Sequence, residues 1–81
     1  MKNKGGKMKY NWSKVPKDVD HVVTNEEGEV WGFYYPPEKD LGEKGWKNPP
    51  RNGLALEPPV LLNLEPFKGN WEDSEEPRLT T

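Results

Sequence analysis

The stretch HVVTNEEGEVWGFYY, residues 21–35, decides the fold. Two runs rich in β-branched and aromatic residues flank NEEG at 25–28, and Gly28 can take the left-handed conformation that closes a short hairpin loop. Residues 20–35 are therefore predicted to form an antiparallel β-hairpin. In its second strand the period of two sets Val30, Gly32 and Tyr34 on one side and Trp31, Phe33 and Tyr35 on the other. A lone hairpin cannot hide three rings. The aromatic face is thus expected to lie over the core, beneath part of 54–67. Gly32, on the sparse face, leaves a gap that a ring or backbone from elsewhere, or a closely approaching ligand, can enter.

Outward from the hairpin, the chain offers few further elements. VLLNL at 60–64 alternates Val60, Leu62 and Leu64 against Leu61 and Asn63, as a half-buried strand would, and GLAL at 53–56 is a second strand candidate. Pro-Pro pairs at 36–37, 49–50 and 58–59 leave no room for an ordinary helix. DLGEKGWK at 40–47 reads as a glycine-containing loop that carries Trp46 and is rimmed by Lys44, Lys47 and Arg51. Toward the N-terminus, Ser13 is placed to cap a turn that Pro16 limits to one or two windings, with Trp12 folded over Val15 or Pro16. Toward the C-terminus, PFKGNWEDSEEP at 66–77 spaces Phe67 and Trp71 around Gly69, with Asp73 or Ser74 as the cap of a single turn. The two rings are expected to close the core, and Glu72, Asp73, Glu75 and Glu76 to form its solvated rim.

The expected fold class is small α+β or mainly β: an antiparallel β-hairpin extended to about three strands, with a short N-terminal helical turn and Pro-rich loops. Residues 10–77 are expected as a single small domain, 1–9 as a basic disordered tail and 78–81 as a disordered end. With 81 residues, 31% hydrophobic and no cysteine, the chain has room for one small core and no disulfide or thiolate site to reinforce it. Four tryptophans, three tyrosines and two phenylalanines must supply most of its apolar area.

The formal charge of −2 hides an uneven distribution. The opening MKNKGGKMK holds four lysines and no acid, so the remaining eight basic and fourteen acidic residues leave the body at −6. Such a body repels nucleic-acid phosphates, and no helix is long enough to read a groove, so duplex nucleic acid is not an expected partner. No apolar run is long enough for a membrane span or a signal-peptide core, and a membrane role is not expected.

Enzymatic readings find little support. His21 is the only histidine, which excludes sites needing two imidazoles, and the absence of cysteine removes the common zinc sets. Ser13, Asp18 and His21 could be named as a triad by composition, but they lie too close in sequence on short elements to be held with an oxyanion site. The acids of WEDSEE lack calcium-loop spacing, and GGK at 5–7 and GEKG at 42–45 lack the rest of a phosphate loop. Neither catalysis, a metal nor a cofactor is expected.

The two ends, YNWSKVPKDVDHVVTNEEGEVWGFYYPP and PFKGNWEDSEEPR, resemble the ends of a group of small, mostly uncharacterised proteins of tailed bacteriophages and prophages. There an N-terminal Trp-Ser segment, a DEDGxxW-like hairpin and a C-terminal FKGDWxDSLxxRP-like segment surround a variable middle. Trp12, Ser13, Gly28, Trp31, Phe67, Lys68, Gly69, Trp71, Asp73, Ser74, Pro77 and Arg78 match that pattern, over about half the chain. Glu75 stands where the group usually has leucine, and Asn70 where it has aspartate. The resemblance implies expression in a bacterial host, with the host cytoplasm as the location, and a setting in which small accessory proteins bind host components.

Two binding functions follow as expectations. The first is a non-enzymatic phage-type accessory protein that binds and modulates a host or phage protein through aromatic and acidic surface, with counter-defence as one setting. The alternative is a small-ligand protein that sequesters a nucleotide, with Trp31 or Trp46 stacked on the base and Lys47, Arg51 or Arg78 on phosphate; a homo-oligomer would help enclose it. A concave aromatic pocket with converging basic groups would favour the nucleotide, and an apolar patch bordered by carboxylates the protein partner.

Overall fold

The computed structural model describes residues 8–51, 53 and 55–79. Strands β1 (His21–Thr24) and β2 (Val30–Phe33) pair antiparallel, Val22 opposite Gly32 and Thr24 opposite Val30. Between them Asn25 closes the loop: its N–H donates to the Glu29 carbonyl at 2.9 Å, its side-chain oxygen accepts from the Glu29 N–H at 2.8 Å, and Gly28 sits at φ 91°. The predicted hairpin is present. Strands β3 (Glu38–Asp40) and β4 (Gly45–Lys47) form a second hairpin, β5 (Val60–Leu62) pairs with β2, and β6 (Glu76–Pro77) pairs with β1. The result is a four-stranded antiparallel sheet ordered β5-β2-β1-β6 with a two-stranded β3-β4 sheet beside it. Helical structure among the described residues is confined to two 3₁₀ turns, Trp12–Lys14 and Trp71–Asp73.

Directly opposed residues share a face of the sheet. Val22, Thr24, Val30, Gly32, Val60 and Leu62 make one face; Val23, Trp31, Phe33 and Leu61 make the other. The main core lies on the first. Buried Tyr10, Val15, Val19, Val22 and Val30 pack there, joined by half-buried Trp12, Tyr34, Val60, Leu62, Leu64 and Phe67. The expectation that the aromatic face would lie over the core beneath 54–67 holds for Phe33, fully buried there with Val23, but not for half-buried Trp31 and Tyr35, and the larger cluster lies on the Gly32 face. The cause is Gly32, where an added Cβ would stand 2.8 Å from Val19 Cγ1 and 3.1 Å from Leu62 Cδ1. The space left by one absent side chain lets the N-terminal segment pack onto the sheet. Residues 60–62 lie beside β2 rather than over it, and no strand forms at Gly53, Ala55 or Leu56; Leu54 lies outside the described residues.

Two turns differ from expectation in their caps. Asn11, not Ser13, caps the first, its side-chain oxygen accepting from the Ser13 N–H at 3.2 Å. Asn70 caps the second, accepting from the Glu72 N–H at 3.1 Å. Asn lies one residue before each tryptophan, and its short amide reaches an N–H two residues on.

Ser74 closes the second turn with its backbone N–H on the Trp71 carbonyl, and its side chain has a different task. It is fully buried, and its Oγ accepts the Thr24 N–H and donates to the Thr24 carbonyl, both at 2.9 Å. Along β1 the partners run Asp20 with Arg78, Val22 with Glu76, then Thr24 with Ser74, so a hydroxyl makes the rung where the β6 backbone has turned away. The protons close consistently around it. Tyr10 donates its hydroxyl to the Ser74 carbonyl at 2.8 Å, so the 2.8 Å contact to Thr24 must be donated by Thr24, whose Oγ1 then accepts the Phe67 N–H at 3.0 Å. Burial raises the Tyr10 pKa above its ordinary value, outweighing these hydrogen bonds. Thr24 thus joins segments at both ends of the chain.

Lys9 and Arg78 extend the ordered contacts one residue beyond each expected boundary. The Lys9 N–H meets the Glu76 carboxylate at 2.9 Å and its ammonium donates to the Asp73 carbonyl at 2.6 Å. Arg78 donates to the carbonyls of Val19 at 2.9 Å and Pro16 at 2.7 Å. Residues 1–7, 80 and 81 of the expected tails lie outside the described residues.

Candidate functional site

On the second face of the sheet, opposite the main core, the two hairpins enclose a groove of about 490 Å³. Its apolar lining comes from Val23, Trp31, Phe33, Trp46 and Pro59. The β1–β2 loop contributes Glu26, Glu27 and Glu29 to the rim, and the β3–β4 loop contributes Glu43 and Lys44. The loops meet directly, with the Glu26 N–H donating to the Lys44 carbonyl at 3.0 Å.

Trp46 was expected on a loop and stands instead in strand β4, because the intervening residues make a good turn. The Asp40 carboxylate accepts the Glu43 N–H at 3.1 Å, and Lys44 takes φ 57° to reverse the chain. That hairpin carries Trp46 onto β1, where its indole N–H donates to the Thr24 carbonyl at 3.3 Å. Its ring meets Trp71 edge-on, with centroids 6.2 Å apart and planes at 89°. Half-buried Trp46 is both a groove wall and a structural contact. Trp31 reaches the groove from β2, half-buried, with its N–H 3.4 Å from Glu29 Oε1.

The other sequence-predicted residues do not join them. Lys47 follows Trp46 in β4 and lies 3.8 Å from Glu38 Oε1, and exposed Arg51 lies on the following loop; neither lines the groove. Arg78 stacks over Trp12, 4.8 Å from the ring centroid, where it fastens the C-terminal segment to residues 16–19. Trp12 itself donates to the Glu76 carboxylate at 2.7 Å. Among the described residues the single cation in the lining is Lys44, which lies 3.8 Å from Glu26 across exposed surface and neutralises little. Four carboxylates against one ammonium leave a net negative rim.

The rim glutamates were overlooked in the sequence because they belong to two loops some sixteen residues apart that only the hairpin contact brings together. Acid at both loop tips was visible; its convergence was not. Near the opposite face, a wider depression is bordered by Lys9, Lys14 and Lys68 beside Phe67. Lys9 there is engaged with main-chain carbonyls and lies 5.4 Å from the Phe67 centroid.

His21 is engaged with Glu75, Nδ1 to Oε2 2.9 Å apart. No group of three or more potential metal ligands is gathered among the described residues, and no helix there is long and apolar enough to cross a membrane. Comparison with protein families, curated proteins and solved structures finds no match to the chain.

Proposed function

We propose that this chain is a non-enzymatic, phage-type accessory protein that binds and modulates a host or phage protein, with counter-defence as one setting. The Trp31–Trp46 groove is its contact surface. The observation that carries this reading is the groove's composition: two half-buried tryptophans at the edge of a buried Val23–Phe33 layer, bordered by exposed carboxylates. Aromatic anchors within a polar rim supply most of the energy of small protein interfaces. Exposed Leu61, opposite Trp31 on the edge strand, extends the apolar surface beyond the groove. The phage resemblance supports the setting.

The nucleotide alternative loses support from the same geometry. Lys47, Arg51 and Arg78 lie outside the groove lining, and a rim of glutamates repels phosphate.

Capture from bacterial lysate tests the reading. Gly42 lines the groove, and an added Cβ meets only Asp40 Oδ1, at an ordinary 3.6 Å, so Gly42→Tyr sets a ring at the groove from a position with room for its Cβ, and thermal melts check its fold. A protein captured by the native chain and by Lys14→Glu/Lys68→Glu, but lost with Gly42→Tyr, supports the groove. Retention by Gly42→Tyr with loss in the lysine variant moves the site to the opposite face. Binding of small metabolites with no protein captured restores the nucleotide reading.

A further inference from the structure

We infer that the occupant of the groove is a basic peptide segment of the partner, which lays the aliphatic stem of a lysine or arginine along Trp31 and Trp46 and meets the rim glutamates with its charge. The inference deepens the proposed function and rests on it. Its ground is charge complementarity combined with the shape of the lining.

The groove would suit a purely aliphatic side chain if its rim were neutral, and a small metal ion if its carboxylates were gathered. Neither description fits. The wall is aromatic and aliphatic, the glutamates stand around it on two loops, and among the described residues Lys44 alone opposes them. A long cationic side chain satisfies both parts, because its methylenes cover apolar surface while its head stays near water and carboxylate. The face of tryptophan attracts such a cation, more strongly as water is excluded. Glu27 and Glu43 are exposed and have no salt-bridge partner among the described residues, so they can turn to an incoming charge without breaking an ion pair. Glu29 is less free, since its Oε1 accepts from Asn25 Nδ2 at 2.9 Å. A negative rim also speeds encounter with a basic partner and turns away acidic ones.

Calorimetric titration of the full-length protein with two short blocked peptides tests this. One carries two lysines flanking a valine; in the other both lysines are acetylated, which removes the charge and keeps the stem. The lysine peptide should bind about tenfold more tightly, the size of one good cation–π and carboxylate contact. That preference should shrink as salt rises and fall severalfold in Glu27→Gln/Glu43→Gln, which keeps Trp31, Trp46, Glu26 and Glu29 and replaces two side chains that carry no hydrogen bond among the described residues. Equal binding of the two peptides would overturn the cationic occupant and leave the groove as an apolar docking site. Binding of neither by folded protein would overturn the inference, while capture with the Gly42→Tyr control judges the proposed function separately. If Lys2→Gln/Lys4→Gln/Lys7→Gln makes the peptide bind more tightly, the groove belongs to the chain's own N-terminal lysines and an external basic segment is refuted.

Discussion

Replacement of Ser74 by alanine removes one oxygen and should destabilise the whole sheet. That oxygen is the acceptor given to the Thr24 N–H and the nearer of two donors to the Thr24 carbonyl, the other being the Trp46 indole at 3.3 Å. Ser74 is 0% exposed and Thr24 3%, so water does not readily replace it. An unpaired buried donor costs about 1–3 kcal/mol, and loss of the second hydrogen bond adds about 1 kcal/mol. The expected loss is therefore about 2–4 kcal/mol, against a total of roughly 4–12 kcal/mol for a chain of this length. At about 4–8 °C per kcal/mol in a small domain, Tm should fall by more than about 8 °C. Circular dichroism during heating, with urea unfolding followed by tryptophan fluorescence, measures it. Ser13→Ala is the matched control: its hydroxyl bonds only exposed Asn11 Oδ1, and it should change stability by less than about 0.5 kcal/mol. Equal stability of the two variants would refute the hydroxyl rung as a structural link.

Gly32→Ala should cost about 1–3 kcal/mol in urea unfolding, because the new methyl meets Val19 Cγ1 and Leu62 Cδ1 in a packed core. Trp46→Ala should lower stability by about 2 kcal/mol through loss of the Trp71 contact and the Thr24 hydrogen bond, and should weaken partner binding as well, so thermal melts must accompany its binding assays. Burial raises Tyr10 in the folded state, so its contribution to stability is fully present below the unfolded value of about 10 and is lost as pH rises through the folded value. Urea midpoints at increasing alkaline pH should fall more steeply for the native chain than for Tyr10→Phe.

The β1–β2 hairpin and the β5 strand were legible in the sequence because alternation and one turn glycine act locally. Leu61 outward against Val60 and Leu62 inward followed from the same period. The side chosen for the core was not legible, since it depends on Val19 finding the space at Gly32 from thirteen residues away. The caps were misassigned for a related reason: Asn11 and Ser13 flank Trp12, both residue types cap turns, and only backbone geometry sets Asn11 at the cap and Ser13 inside the turn. Ser74 was read as a local cap, and its bond to Thr24 was hidden because it spans fifty residues. Trp46 could be singled out by its basic-rimmed, glycine-containing surroundings, whereas Trp31 was expected on the face over the core and was named beside Trp46 only as a ring to stack on a base; the two line one groove. Its charge was harder to foresee. Lys47 and Arg51 surround Trp46 in sequence, whereas the strand sets Trp46 toward glutamates that arrive from the other hairpin.

The four tryptophans divide between the two faces, which makes their indole N–H signals a direct report on the site. Trp31 and Trp46 line the groove, while Trp12 packs against the main core on the opposite face, bonded to Glu76. Nitrogen–proton correlation spectra of isotopically labelled protein should be recorded as the captured partner, or the lysine peptide, is added. Use of the groove requires the Trp31 and Trp46 indole signals to move, with Trp71 following through its edge contact and Trp12 unchanged. Movement of Trp12 with Trp31 and Trp46 fixed would contradict the assignment of the groove as the binding surface.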